Sequence, residues 1–152
     1  TGQAAQLYLD VGAKVVGLDN SPEMIRESSR DHRFYGLFLH NIDEKLDATW
    51  APPKTFKLVI SCGVLHFATD IYATLSFLRM PLMPGGLLAF TYIHPQNRSF
   101  SQKTTLHRPD ELKSVIQALG FTLLDTFTFL AYNDRANVDD PVYYSLVVAS
   151  LL

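Results

Sequence analysis

Residues 14–25, KVVGLDNSPEMI, decide the fold. A short Val-rich run, residues 14–19, ends on an acid, Asp19, and leads straight into a helix start, with Ser21 placed as N-cap and Pro22 at the first helical position. This reads as a strand, then a helix. Three further runs have the same character: GLFLH at 36–40, FKLVISC at 56–62 and GGLLAFTYI at 85–93. Ala51-Pro52-Pro53-Lys54 forbids helix before the third, and Pro84-Gly85-Gly86 opens the fourth while His94-Pro95 closes it. All four are apolar on both faces, as strands covered on both sides must be, and spacers of about 14 to 22 residues suit parallel crossovers.

Downstream, DELKSVIQAL at 110–119 puts Leu112, Val115, Ile116 and Leu119 on one helical face and stops at Gly120. FTLLDTFTF and VYYSLVVAS follow with no helix between them, so they are expected to pair antiparallel around a polar loop near 132–141. The resulting expectation is a single α/β domain over residues 1–152. It is a three-layer sandwich with a mostly parallel sheet and a closing antiparallel hairpin.

Composition narrows the function. The chain has 152 residues, 47% of them hydrophobic, matching one domain of roughly 100–200 residues with a sizeable core. Thirteen Lys and Arg against 15 Asp and Glu leave a formal charge of −2, which offers no footprint for nucleic acid or an anionic membrane. A single cysteine, Cys62, excludes an internal disulfide and a multi-cysteine metal site, so no metal is expected. No apolar run reaches the ~18 residues of a membrane span. The expectation is a soluble, cytoplasmic protein.

Open α/β sheets bind ligands at the carboxyl ends of their strands. That rule directs attention to Asp19, to Asn41–Asp43, to Ser61–His66 and to Tyr92–His94. A strand-end carboxylate such as Asp19 can accept hydrogen bonds from both hydroxyls of a ribose. His66, an imidazole with an ordinary pKa of about 6.5, can take a proton from a nucleophile.

Three phrases, VVGLDNSPEMI, FKLVISCGVLHF and MPGGLLAFTYI, occur in the order and spacing of class I S-adenosylmethionine-dependent methyltransferases, a Rossmann-like family that the whole chain resembles. The Asp-x-Ser-Pro-x-Met segment is the most specific part, and the terminal hairpin is similar as well. The Gly120-Phe121 junction resembles the branch that acts on small molecules. The resemblance implies S-adenosylmethionine as cofactor, with Gly2 against its amino-acid portion, Asp19 at the ribose and Asn20 a further cofactor contact. Met24 then lies near ribose or adenine, Asn41 and Ile42 at the adenine, and Cys62 and Gly63 beside the sulfonium. Asp43 is the alternative adenine acid to Asn41. His66 is the candidate catalytic base, and Tyr92, His94 and Arg98 are candidate contacts to a small-molecule methyl acceptor.

One departure stands out. The family's first strand and glycine-rich loop should precede the first helix, yet only Thr1 and Gly2 stand there, so the chain is expected to be a fragment lacking them. Two other functions remain open at this stage. One is a nicotinamide-dependent oxidoreductase on a similar sheet, and the other is a non-catalytic methyltransferase-like binding module.

Overall fold

The computed structural model describes residues 2–44, 52–97, 104–133 and 141–152. The chain divides into two compact units, residues 1–45 and residues 46–152.

In the first unit α1 (Gln6–Asp10) precedes β1 (Val16–Asp19), α2 (Pro22–Ser28) and β2 (Gly36–Leu39). The two strands pair in parallel, from Val16 with Gly36 to Asp19 with Leu39. The start of α2 follows the sequence expectation closely. Ser21 is extended, its hydroxyl accepts from the Met24 amide at 3.2 Å, and Pro22 sits at the first helical position, where its missing N–H costs nothing. A polar clamp fastens α1 to the connection ahead of β2. Arg33 donates to Asp10 at 2.7 Å, to Asp31 at 2.7 Å and to Gln6 at 2.9 Å. The guanidinium hydrogen bonds hold the Asp31 carboxyl well below the usual carboxylate range.

The second unit contains β3 (Phe56–Ser61), α3 (Ile71–Arg79), β4 (Leu82–Ile93), α4 (Pro109–Ala118), β5 (Phe121–Asn133) and β6 (Pro141–Leu151). Its strands are ordered β3-β4-β6-β5. β3 and β4 run parallel, whereas β6 lies antiparallel to both β4 and β5. The expected closing hairpin is therefore present. The expected mostly parallel sheet is corrected to a mixed one, because β6 enters between β4 and β5 and gives an antiparallel neighbour on each side.

Side-chain alternation explains which face is dry. Leu88 and Phe90 of β4 and Val147 and Ala149 of β6 are buried with Leu75 and Leu78 of α3 and Leu112 and Ile116 of α4. α3 is a helix not foreseen in the sequence. Its N-cap, Asp70, accepts from the Ala73 amide at 2.9 Å, and Ile71, Leu75 and Leu78 repeat at helical spacing.

The Pro84-Gly85-Gly86 turn lies inside β4 rather than before it. β3 advances only from Phe56 to Leu58 while β4 advances from Leu82 to Leu87, so four residues of β4 bulge out of the pairing. Glycine is required there for space. A Cβ on Gly86 would stand 2.8 Å from the Met83 carbonyl oxygen and 3.2 Å from that of Phe56.

Candidate functional site

In the first unit, the parallel pairing brings the carboxyl ends of β1 and β2 side by side. The His40 amide donates to the Asp19 carbonyl at 2.8 Å, carrying the alignment one residue past the strand. Asp19 is half-buried; its Oδ1 accepts from the Ser21 amide at 2.9 Å, and its second oxygen makes no hydrogen bond among the described residues. One oxygen shapes the turn and the other takes no part in it. Asn20 is exposed beside it, and Met24, 37% exposed, stands on the first turn of α2.

Past β2, the side-chain oxygen of exposed Asn41 accepts from the Asp43 amide at 3.2 Å, while Ile42 is partly covered. Because Asn41 builds this turn, Asp43 contributes its backbone to it. Gly2 has a packing reason of its own: a Cβ there would lie 2.9 Å from the Phe34 ring.

In the second unit, the ends of β3 and β4 converge in the same way. Gly63 adopts φ 69°, a left-handed conformation that glycine takes without strain, and its amide donates to the buried Thr91 hydroxyl at 2.8 Å. Cys62 is an exposed residue, but partial desolvation of its sulfur pushes the thiol up, so it is held as thiol rather than thiolate.

His66 is 5% exposed and is fixed from two sides. The Thr105 amide donates to its carbonyl at 2.7 Å, and His107, also buried, donates from Nε2 to the neighbouring Leu65 carbonyl at 2.9 Å. Nδ1 of His66 is buried with no hydrogen-bond partner among the described residues. Burial, reinforced by nearby His107, pushes its imidazole below the ordinary value, which keeps it neutral near pH 7.

The acceptor candidates fare differently. Tyr92 is a core residue, 4% exposed, and pairs with Ser145 across the sheet instead of standing open at a strand end. His94 shapes the turn after β4, its Nδ1 accepting from the Gln96 amide at 3.2 Å. Arg98 lies outside the described residues.

Two features here had no forecast. Asn97, 7% exposed, donates to the carbonyls of His94 and Tyr143 and accepts from the Tyr143 amide at 2.7 Å, locking this turn to β6. Tyr144 of β6 lies beside the strand end, its ring centroid 5.9 Å from His66 and its Cε2 3.9 Å from where a Gly63 Cβ would stand. The only sequence signal for Tyr144 is the aromatic density of FTFLAYN and VYY.

Polar residues thus gather, in each unit, at the carboxyl ends of parallel strands, joined in the second by Gly63, as in α/β domains that bind a nucleotide-like cofactor. A methyltransferase-domain family model matches residues 1–90, and the chain belongs to the family of S-adenosylmethionine-dependent methyltransferases. An uncharacterized protein of Haemophilus influenzae is 31% identical over 127 residues, which are 79% of this chain and 49% of that protein. The chain spans about half the length of this curated relative.

Among solved structures, an S-adenosylmethionine-dependent methyltransferase from Mesorhizobium loti superposes with a TM-score of 0.79 at 17% identity, over 98% of this chain and 86% of that one. The 1,6-didemethyltoxoflavin-N1-methyltransferase of Burkholderia thailandensis, with bound 1,6-didemethyltoxoflavin and S-adenosylhomocysteine, gives 0.71 at 20% identity, over 99% and 66%. These likenesses establish the fold. Among the described residues no helix is long and apolar enough to cross a membrane.

Proposed function

We propose that this domain transfers a methyl group from S-adenosylmethionine to a small-molecule acceptor. The observation that carries the reading is Asp19, a strand-end carboxylate with one oxygen spent on the turn and the other open, within a segment matched by the methyltransferase-domain model. The donor set fits the cofactor. Asp19 suits the ribose hydroxyls, with Asn20 and Met24 adjoining; the Asn41 amide and the Ile42 side chain suit an adenine edge and face. The family resemblance assigns Gly2 to the amino-acid portion of the cofactor and, separately, Cys62 and Gly63 of the second unit to its sulfonium.

When bound, the cofactor supplies an electrophilic methyl. The chain's own residues hold the acceptor in line, a positioning effect that can be worth ~7–11 kcal/mol. An acceptor hydroxyl or ammonium must also lose a proton, and neutral His66 is the base for it; a thiolate or activated carbon needs none. His94 and Arg98 are the remaining acceptor contacts. The antiparallel C-terminal strands and the family membership favour this reading over a nicotinamide-dependent oxidoreductase.

Calorimetric titration of S-adenosylhomocysteine, with NAD as comparator, into the longest chain that the gene encodes tests the proposal. Saturable binding that weakens by about tenfold or more in Asp19→Ala is expected, the loss of hydrogen bonds to a charged group. Binding of NAD alone would move the assignment to the oxidoreductase. Silence for both in a folded sample would favour a non-catalytic module.

A further inference from the structure

The parallel pairing of β3 with β4 ends at Ser61 opposite Phe90, yet β4 runs on to Ile93. The chain leaving β3 therefore turns while its neighbour continues. Gly63 sits in that turn at φ 69°, and its amide donates to the Thr91 hydroxyl at 2.8 Å, one residue past the last parallel pair. Thr91 is well placed to hold it. The residue is 5% exposed, and its strand is flanked by β3 on one side and β6 on the other, with Thr91 opposite Leu146. A β-branched side chain has few χ1 choices, so on a strand held from both sides the hydroxyl is offered in one direction.

That hydrogen bond fixes a whole peptide plane. The Cys62–Gly63 unit is planar and trans, so anchoring its N–H toward Thr91 turns the Cys62 carbonyl the opposite way. Without an acceptor at position 91, the partly buried Gly63 amide loses this partner, and a glycine has the backbone freedom to rotate toward another. The orientation of Cys62 and Gly63 is thus set from β4, 28 residues further along the chain.

We infer that Thr91 is a positioning residue for the cofactor, its hydroxyl holding the Cys62–Gly63 peptide in the orientation that receives the sulfonium end. The inference rests on the methyl-transfer reading, which assigns Cys62 and Gly63 to the sulfonium. To that reading it adds a buried side chain that acts through Gly63 rather than on the cofactor itself.

Calorimetric titration of S-adenosylhomocysteine into the longest chain that the gene encodes tests it, with variants at position 91 and a control in the same sheet. Thr91→Val should lower the affinity about fivefold or more, the effect of leaving the amide unpaired. Thr91→Ser keeps the hydroxyl and should stay within about twofold of the wild type, while Thr91→Cys, whose sulfur is a weak acceptor, should fall between. Val147→Ala, a buried deletion on β6 opposite Phe90, should lower the melting temperature yet leave the affinity unchanged. By amide hydrogen exchange, Gly63 should be protected in the wild type and in Thr91→Ser and should exchange fast in Thr91→Val. Wild-type affinity in Thr91→Val, equal losses in Thr91→Ser and Thr91→Val, or an equal loss in Val147→Ala would each overturn the inference and leave the methyl-transfer reading standing. Should Thr91→Val not fold, equal affinity of Thr91→Ser and Thr91→Cys overturns it. If the folded wild type itself binds no S-adenosylhomocysteine, the underlying reading falls and takes the inference with it.

Discussion

Asp19 and His66 show two different ways for a polar side chain to be ready for work. Asp19 is half-used by its own turn, so Asp19→Ala removes a turn acceptor together with the proposed ribose contact. Asp19→Asn separates the roles, because it keeps a side-chain oxygen for the Ser21 amide while losing the charge; it should retain thermal stability but still lose cofactor affinity. His66 is unsatisfied and buried, which depresses its folded pKa below the unfolded value of about 6.5. The unfolded chain therefore takes up the proton first. The contribution of neutral His66 to stability is complete above about pH 6.5 and is lost as pH falls through the folded value. In an NMR titration the ring protons of His66 should begin to shift at lower pH than an unperturbed histidine, and His66→Phe should flatten the acid side of the stability profile. A normal titration near 6.5 would contradict the burial argument.

Among the elements, β4 carries the sharpest test. Gly86→Ala drives a methyl against two backbone oxygens that cannot move aside, and should cost about 1–3 kcal/mol in thermal or urea melts. Gly85 has φ 75° but open space around it, so Gly85→Asn, which tolerates that conformation, should cost less than about 1 kcal/mol. A larger loss at position 85 than at 86 would mean that conformation, not space, governs the bulge. The same segment shows how far local sequence reaches. Pro84-Gly85-Gly86 announces a turn, and a turn-like bulge is there, but only the neighbouring strand reveals that β4 resumes from Leu82. Ser21-Pro22 was legible because a capping motif is complete within four residues. Tyr144 was not, because its place beside Gly63 depends on β6 crossing the sheet to lie next to β4.

For the whole molecule, ligand linkage gives the broadest check. A ligand present at a hundredfold excess over its Kd adds about 2.7 kcal/mol to the folded state. S-adenosylhomocysteine should then raise the melting temperature by about 5–10 °C and NAD should leave it in place. The fold class and the β1 and β3 strand ends were legible because apolar runs, caps and glycines act locally. The acceptor side was less so: Tyr92 reads as a strand-end tyrosine, yet strand alternation turns it into the core. Strand order has one more outcome. β6 is made after every other described strand, yet it sits between β4 and β5, with Leu87 paired across from Ser150. A ribosome therefore releases β4 and β5 before the strand that joins them exists, and both margins stay open to stray pairing meanwhile. Assembly of this sheet is therefore a late, long-range closure.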